Sequence, residues 1–202
     1  MLGYLTINLL DILAAEGEKI TLENLRRFAC PYNGDVEDFL HNKAIVFSDQ
    51  GISSVWLVFA SFRDEWVLVG YFAIANKNFH VKTGRLSKTL SKRISKFATR
   101  DSDLKSYIIA APLIGQLGKN YRDGLNQLIT GDELLQIACN KVMEGQRIFG
   151  GRFVFVECED TPSLVKFYER NQFKIFDRRE TTSDEKVAFK GKSLVQLLRF
   201  LR

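Results

Sequence analysis

The stretch from Phe153 to Phe173, FVFVECEDTPSLVKFYERNQF, constrains the fold of this chain more than any other. It opens with Phe153-Val154-Phe155-Val156, an aromatic and β-branched run too short for a buried helix. Gly150-Gly151 precedes the run and the acidic break Glu157 to Asp160 follows it, which predicts a buried strand. Thr161 stands where it can cap a following helix. Pro162 fits the first helical position, where its missing N–H costs nothing. Leu164, Val165, Phe167 and Tyr168 then fall on one side of the helix, with Lys166, Glu169 and Arg170 on the water side. Phe173-Lys174-Ile175-Phe176 begins another strand. So compact a strand, helix and strand belongs to an α/β sheet.

The rest of the chain is read against that unit. With 202 residues and 46% hydrophobic composition, residues 1–202 are expected to form one α/β domain with a sizeable core. The three cysteines, Cys30, Cys139 and Cys158, make no CxxC pair and there are only two histidines, so no zinc site is expected and a reducing compartment is. No apolar run approaches the roughly 20 residues that span a bilayer, and Met1-Leu2-Gly3-Tyr4 is not a basic leader. A soluble cytoplasmic protein without a membrane partner is the expectation.

The net charge of +5 is unevenly placed. Lys82, Arg85, Lys88, Lys92, Arg93, Lys96 and Arg100 follow one another with no acidic residue between them. This basic insertion, at about 77–104, has two readings. Leu86, Leu90, Ile94 and Phe97 recur at helical spacing, giving a core-facing side that leaves the charges in water; the same charges suit phosphate, whether of RNA or of an anionic cofactor.

Along the chain, Leu5 to Leu13 is an apolar opening, strand or helix. Leu22 to Phe28 suggests a helical turn that stops before Pro31. Asp35 is expected to cap a helix carrying Val36, Phe39, Leu40 and Ala44. Val55 to Phe62 and Trp66 to Ile74 form a hairpin around Arg63-Asp64-Glu65. Tyr107 to Leu113 is a strand, Gly115 to Thr130 a glycine-bearing loop, and Asp132 to Gln146 a helix buried through Leu134, Leu135, Ile137, Ala138 and Val142. Lys186 to Phe189 and Leu194 to Leu201 close the chain as strands, the second with helical spacing too. Where the long helix begins, at Thr130 or Gly131, exposed N–H groups favour a phosphate, although Asp132 and Glu133 in its first turn would repel one.

In this order the elements resemble the GCN5-related N-acetyltransferase family, over roughly residues 22 to 200. Phe167-Tyr168-Glu169-Arg170-Asn171-Gln172-Phe173 is similar to the family phrase FYEKxGF, with Gln172 where glycine is usual. Leu117-Gly118-Lys119 resembles the strand end whose backbone pairs with the pantetheine arm, and Gly131 before Leu134-Leu135 the last glycine of the pyrophosphate loop. Aligned on Gly131, that loop's pattern falls on Asn126, Ile129 and Gly131. Phe28-Ala29-Cys30 through Asp38-Phe39-Leu40-His41-Asn42-Lys43-Ala44 resembles a first-helix phrase of a branch that includes toxin-like acetyltransferases of aminoacyl-tRNA.

The resemblance implies a GNAT-like acyl-CoA N-acyltransferase fold, a mixed central sheet flanked by helices. It implies an acetyl-CoA-dependent N-acetyltransferase in which an amine attacks the thioester directly. The amine would belong to a small molecule, a protein or aminoacyl-tRNA, with RNA contact through Lys82 to Arg100. Leu117, Gly118 and Lys119, with Leu128, Ile129, Thr130, Gly131 and Asp132, would hold acetyl-CoA. Tyr168 would protonate the departing thiolate. Glu157 and Glu159, which alternate onto one face with Cys158 on the other if the strand persists, are the candidate bases, with Asp160 beside them and Glu65 further off. The alternative is a CoA-binding or regulatory module, RNA-associated and without turnover.

Overall fold

The computed structural model describes residues 3–82, 84, 88–181 and 193–201. Among the described residues eight strands form one mixed sheet flanked by helices: β1 (Tyr4–Asn8), β2 (Ser54–Phe62), β3 (Glu65–Lys82), β4 (Thr99–Asp101), β5 (Ser106–Lys119), β6 (Phe153–Glu159), β7 (Lys174–Glu180) and β8 (Ser193–Phe200). Their order is β1-β2-β3-β5-β6-β8-β7, with β4 beside β5. The chain divides into two compact units, Met1–Ala75 with Gly115–Ala138, and Asn76–Ile114 with Cys139–Arg202.

In the first unit the apolar opening resolves into both of its readings, β1 and then α1 (Leu9–Glu16), with Asn8 at the junction capping the helix by accepting from Leu10 N. The β2–β3 hairpin is one residue tighter than expected. Phe62 pairs with Glu65, and Arg63 and Asp64 make the two-residue turn at φ 52° and 64°, the left-handed pair that matches strand twist. After α2 (Glu18–Leu25), a helical run follows as α3 (Gly34–Asp38), a π-helical turn (Phe39–Lys43) and α4 (Ala44–Asp49). Its cap is Asn33 rather than Asp35, because the Asn33 side chain accepts from both Asp35 N and Val36 N. Leu9, Leu25, Phe28, Val36, Phe39, Leu40, Val55, Leu57 and Tyr71 pack as the core of this unit. Gly115 to Lys119 is the end of β5, not loop; the loop proper holds a 3-10 turn, Arg122–Gln127.

In the second unit β6, β8 and β7 are antiparallel neighbours, so Leu194 to Leu201 is a strand despite its helical spacing, with Phe200 the last residue of β8. Phe79, Val81, Ile94, Ile109, Phe153, Phe155, Phe176 and Leu198 fill its core. The basic segment contributes α5 (Lys88–Ile94), whose Ile94 is fully buried while Lys88, Lys92, Arg93 and Lys96 are exposed. Leu90 is half-buried, Phe97 is largely exposed, and Arg85 and Leu86 lie outside the described residues, as does the expected strand Lys186 to Phe189. α6 (Gly131–Phe149) and α7 (Pro162–Arg170) complete the elements. No helix among the described residues is long and apolar enough to cross a membrane.

Candidate active site

The residues singled out by sequence fall in two groups, one in each unit. In the first unit they lie on the end of β5 and the start of α6. β5 pairs with β6 in parallel at only two positions, Leu113 with Phe155 and Ile114 with Val156. Pro112, which has no N–H to give a ladder, immediately precedes them. Beyond Ile114, β5 runs on to Lys119 with no further β6 partner among the described residues. An edge of unpaired main-chain groups is a template for an extended ligand.

Gly118 on that strand is a glycine for a packing reason. A Cβ there would overlap Val36 Cγ1 and come to 3.2 Å from Phe28 Cζ. Leu117 and Lys119 are half-buried to either side. Lys119 Nζ donates to Asn126 O (2.9 Å) and Ile129 O (3.1 Å), and Tyr4 OH donates to Leu128 O (3.0 Å). Three carbonyls of the loop are therefore pinned by side-chain donors. The loop ends in a capping box: Thr130 N and Oγ1 donate to Glu133 Oε2 (2.8 and 2.7 Å), and Glu133 N donates to Thr130 Oγ1 (3.1 Å). Those bonds hold the Glu133 carboxyl below its usual range, so an anion caps the helix start that the sequence offered to phosphate. Gly131 and Asp132 follow, half-buried. The pattern Thr-x-x-Glu was in the sequence as a recognised cap signal; the glycine beside it drew the reading toward phosphate instead.

In the second unit β6 persists to Glu159, so Glu157 and Glu159 share a face and Cys158 is buried on the other. Glu157 is fully engaged: Arg179 Nε and Nη2 donate to it at 2.9 and 2.6 Å, and Gln196 Nε2 at 2.6 Å. Asp160 pairs with Arg178 Nε at 3.0 Å on the surface. Thr161 takes the N-cap position and Pro162 follows it as expected, although the Thr161 side chain makes no cap bond. Arg179 and Gln196 carried no sequence signal, since only strand register brings them to Glu157.

Tyr168 is buried in the core of this unit, 8% exposed, with its ring edge-on to Phe167 (5.0 Å) and Phe173 (5.6 Å). Burial first, then Cys158 and Cys139, push its ionisation well above the ordinary phenol range, so at neutral pH it keeps its proton. Burial also pushes Cys158 up to about 12 and Cys139 to about 11. Both thiols are neutral, which agrees with a buried small apolar role for Cys158 and not with a nucleophile. Gln172 stands at φ 68°, with Phe173 N bonded to Tyr168 O (3.1 Å) and Gln172 N to Glu169 O (3.0 Å). This is a Schellman ending whose left-handed residue is ordinarily glycine. Among the described residues no group of three His, Cys, Asp or Glu side chains could hold a metal ion.

A mixed sheet whose parallel β5–β6 pair runs into a short helix and a closing antiparallel hairpin of strands defines the class: the fold is that of the GCN5-related N-acetyltransferases. Solved structures that share it are toxins of this class. One described as a bacterial toxin is 15% identical, covers 100% of this chain and 92% of its own, and gives a TM-score of 0.63. AtaT complexed with acetyl-methionyl-tRNAfMet is 17% identical, covering 96% and 94%, at 0.58. AtaTR bound with AcCoA is 14% identical, covering 95% and 91%, at 0.53. At these identities the likeness is one of fold. No family model and no curated protein matches the sequence.

Proposed function

We propose that this protein is an N-acetyltransferase that moves an acetyl group from acetyl-CoA to the amine of an aminoacyl-tRNA. The observation that carries the reading is the fold, in which the helix bearing Tyr168, a buried phenol that keeps its proton, follows β6 where the resemblance to the acetyltransferases implies it. Support for the cofactor and acceptor comes from fold neighbours, one bound with AcCoA and one complexed with acetyl-methionyl-tRNAfMet. The exposed cations of α5 suit an RNA backbone, and the proposal treats residues 1–202 as one working domain with the basic stretch as an insertion.

Acetyl-CoA supplies an activated thioester. The unpaired edge of β5 fits its arm, with Leu117, Gly118 and Lys119 offering main-chain groups. Leu128 to Asp132 take the pyrophosphate once the Glu133 carboxylate turns away from Thr130. Tyr168 holds the proton that the leaving sulfur needs, in its neutral form throughout the physiological range. The attacking amine must lose a proton, and Glu159 receives it directly or through a water. Glu157 shares that face, but a substrate ammonium would have to displace Arg179 from it, so Glu157 acts by fixing Arg179.

The capping box favours a second reading, a binding module without turnover, because Glu133 opposes an anion at the helix start. Calorimetry with acetyl-CoA followed by thiol release with charged tRNA separates the two. Micromolar to sub-millimolar binding with thiol release supports the enzyme. Binding without release from charged tRNA or a panel of amines supports the module, and no binding at millimolar concentration overturns the enzyme.

A further inference from the structure

Tyr32 is 82% exposed, yet the backbone that carries it is tied on every side. Cys30-Pro31-Tyr32-Asn33 is a turn closed by Asn33 N donating to Cys30 O (3.1 Å), with proline setting the first central position and Tyr32 at the second. Cys30 N donates to Glu37 Oε2 at 2.7 Å. One residue earlier, Ala29 is clamped to the end of β5: its N–H donates to Asn120 Oδ1 (3.0 Å) and its carbonyl accepts from Tyr121 N (2.8 Å). Asn120 is 1% exposed, accepting also from Arg122 N (3.1 Å) and donating from Nδ2 to Leu68 O (2.9 Å).

The clamp brings two aromatic rings together. Tyr32 meets Tyr121 edge-to-face at 5.0 Å between centroids. Lys119 Nζ lies 5.7 Å from the Tyr121 centroid while it holds the following loop by two carbonyls, so the inner ring is braced and the outer one is not covered. Arg122 is exposed beside the pair, and Arg26 and Arg27, just before Phe28, are exposed as well. Of the carboxylates nearby in sequence, Glu37 is engaged with Cys30 N and Asp35 with Gln116 Nε2 (2.9 Å), while Asp123, next to Arg122, is exposed.

A rigidly mounted aromatic face in water, with exposed arginines close by in sequence, is the arrangement on which an unpaired base stacks while its phosphate meets arginine or lysine. We propose that Tyr32, backed by Tyr121, is a stacking shelf for a nucleobase, with Arg122 and the Arg26–Arg27 pair taking the adjoining phosphate. The inference rests on the reading that nucleotide-bearing substrates come to this protein, and two of them carry such a base: an unpaired base of the RNA acceptor, and the adenine of acetyl-CoA.

The test uses the full chain and three probes: a fluorescein-labelled single-stranded RNA hexamer, adenosine 3′,5′-bisphosphate and acetyl-CoA. Tyr32→Ala is expected to weaken a stacked probe roughly 5- to 150-fold, the span that one base–aromatic stack covers. Tyr32→Phe is expected to stay within about twofold of the parent. Because the side chain is exposed, neither change threatens folding, and circular dichroism verifies it. Loss confined to the hexamer supports the shelf with RNA as its source; loss for the bisphosphate and acetyl-CoA supports it with the cofactor as its source. Unchanged affinity for all probes in Tyr32→Ala, or failure of the parent to bind any base-bearing probe, overturns the shelf. If the parent binds no acetyl-CoA but Tyr32→Ala still loses the hexamer, the shelf stands and acetyl transfer falls.

Discussion

Replacing Gly118 by alanine tests whether this position is a glycine for packing or for a ligand. The added methyl would overlap Val36 Cγ1, press Phe28 Cζ at 3.2 Å and sit in ordinary contact with Tyr71 Cε1 at 3.6 Å. Phe28 and Tyr71 are 1% and 0% exposed, and their rings interlock edge-to-face at 5.2 Å. Tyr71 is further tied through its hydroxyl to Val36 O, so neither ring has room to yield and Val36 must move. Overpacking of this kind costs about 1–3 kcal/mol. For a chain of this length each kcal/mol lowers the melting temperature by roughly 2–4 °C. Val36→Ala removes both methyls of that side chain, the colliding Cγ1 among them, at about 0.8 kcal/mol each before any cavity cost. In Gly118→Ala with Val36→Ala the new methyl enters the vacated space, so the pair should cost at least ~1 kcal/mol less than the two changes summed. Both tryptophans, Trp56 and Trp66, lie in the unit that holds Gly118, so urea unfolding followed by their fluorescence reads the right core. A Gly118→Ala cost below about 0.5 kcal/mol, or strict additivity in the pair, would refute the packing account.

Other consequences are as direct. Gln172 holds the left-handed position that ends α7, where a side chain costs roughly 1–2 kcal/mol and glycine nothing. Gln172→Gly should therefore raise the melting temperature by a few degrees, and a decrease would contradict the Schellman assignment. Cys158, Cys139 and Tyr168 all favour their neutral forms in the fold, with ionisation pushed up to about 12, to about 11 and well upward respectively. Unfolded thiols ionise from about pH 8.5, so these groups leave stability flat below that pH and lower it as pH rises toward 12. Urea midpoints at pH 7.5, 9 and 10.5 should fall in that order, and less steeply in Cys158→Ala; a constant or rising midpoint would count against the burial. Reversing Lys88 and Lys92 of α5 and Lys96 just after it to glutamate should weaken tRNA binding and flatten its dependence on salt, since each phosphate contact adds nearly one to the slope. An unchanged slope would remove α5 from the RNA surface.

How much of this was legible in the sequence depended on whether the cause was local. The segment from Phe153 to Phe173 was, because a β-branched run, an acidic break, Thr161-Pro162 and a helical stripe each act within a few residues. The β2–β3 hairpin was legible for the same reason. Gly115 to Lys119 reads locally as loop because its glycine answers to Val36 and Phe28, which are distant in sequence. Asn33 rather than Asp35 caps α3, a choice between two good capping residues that only backbone geometry makes. β8 could be told from a helix only by its partners β6 and β7. At the site, Tyr168 was singled out by resemblance and its burial came from structure. The engagement of Glu157 by Arg179 and Gln196 depends on register across three strands, beyond any local pattern.

The central claim is that Tyr168 gives its proton to a departing thiolate. Single-turnover thiol release from acetyl-CoA in the presence of charged tRNA, comparing the parent with Tyr168→Phe, tests it most directly. Phenylalanine keeps the ring against Phe167 and Phe173 and removes only the hydroxyl. The account predicts acetyl-CoA affinity within about twofold of the parent and a rate lower by roughly 10²–10⁴; an unchanged rate under conditions where chemistry limits it would contradict the account.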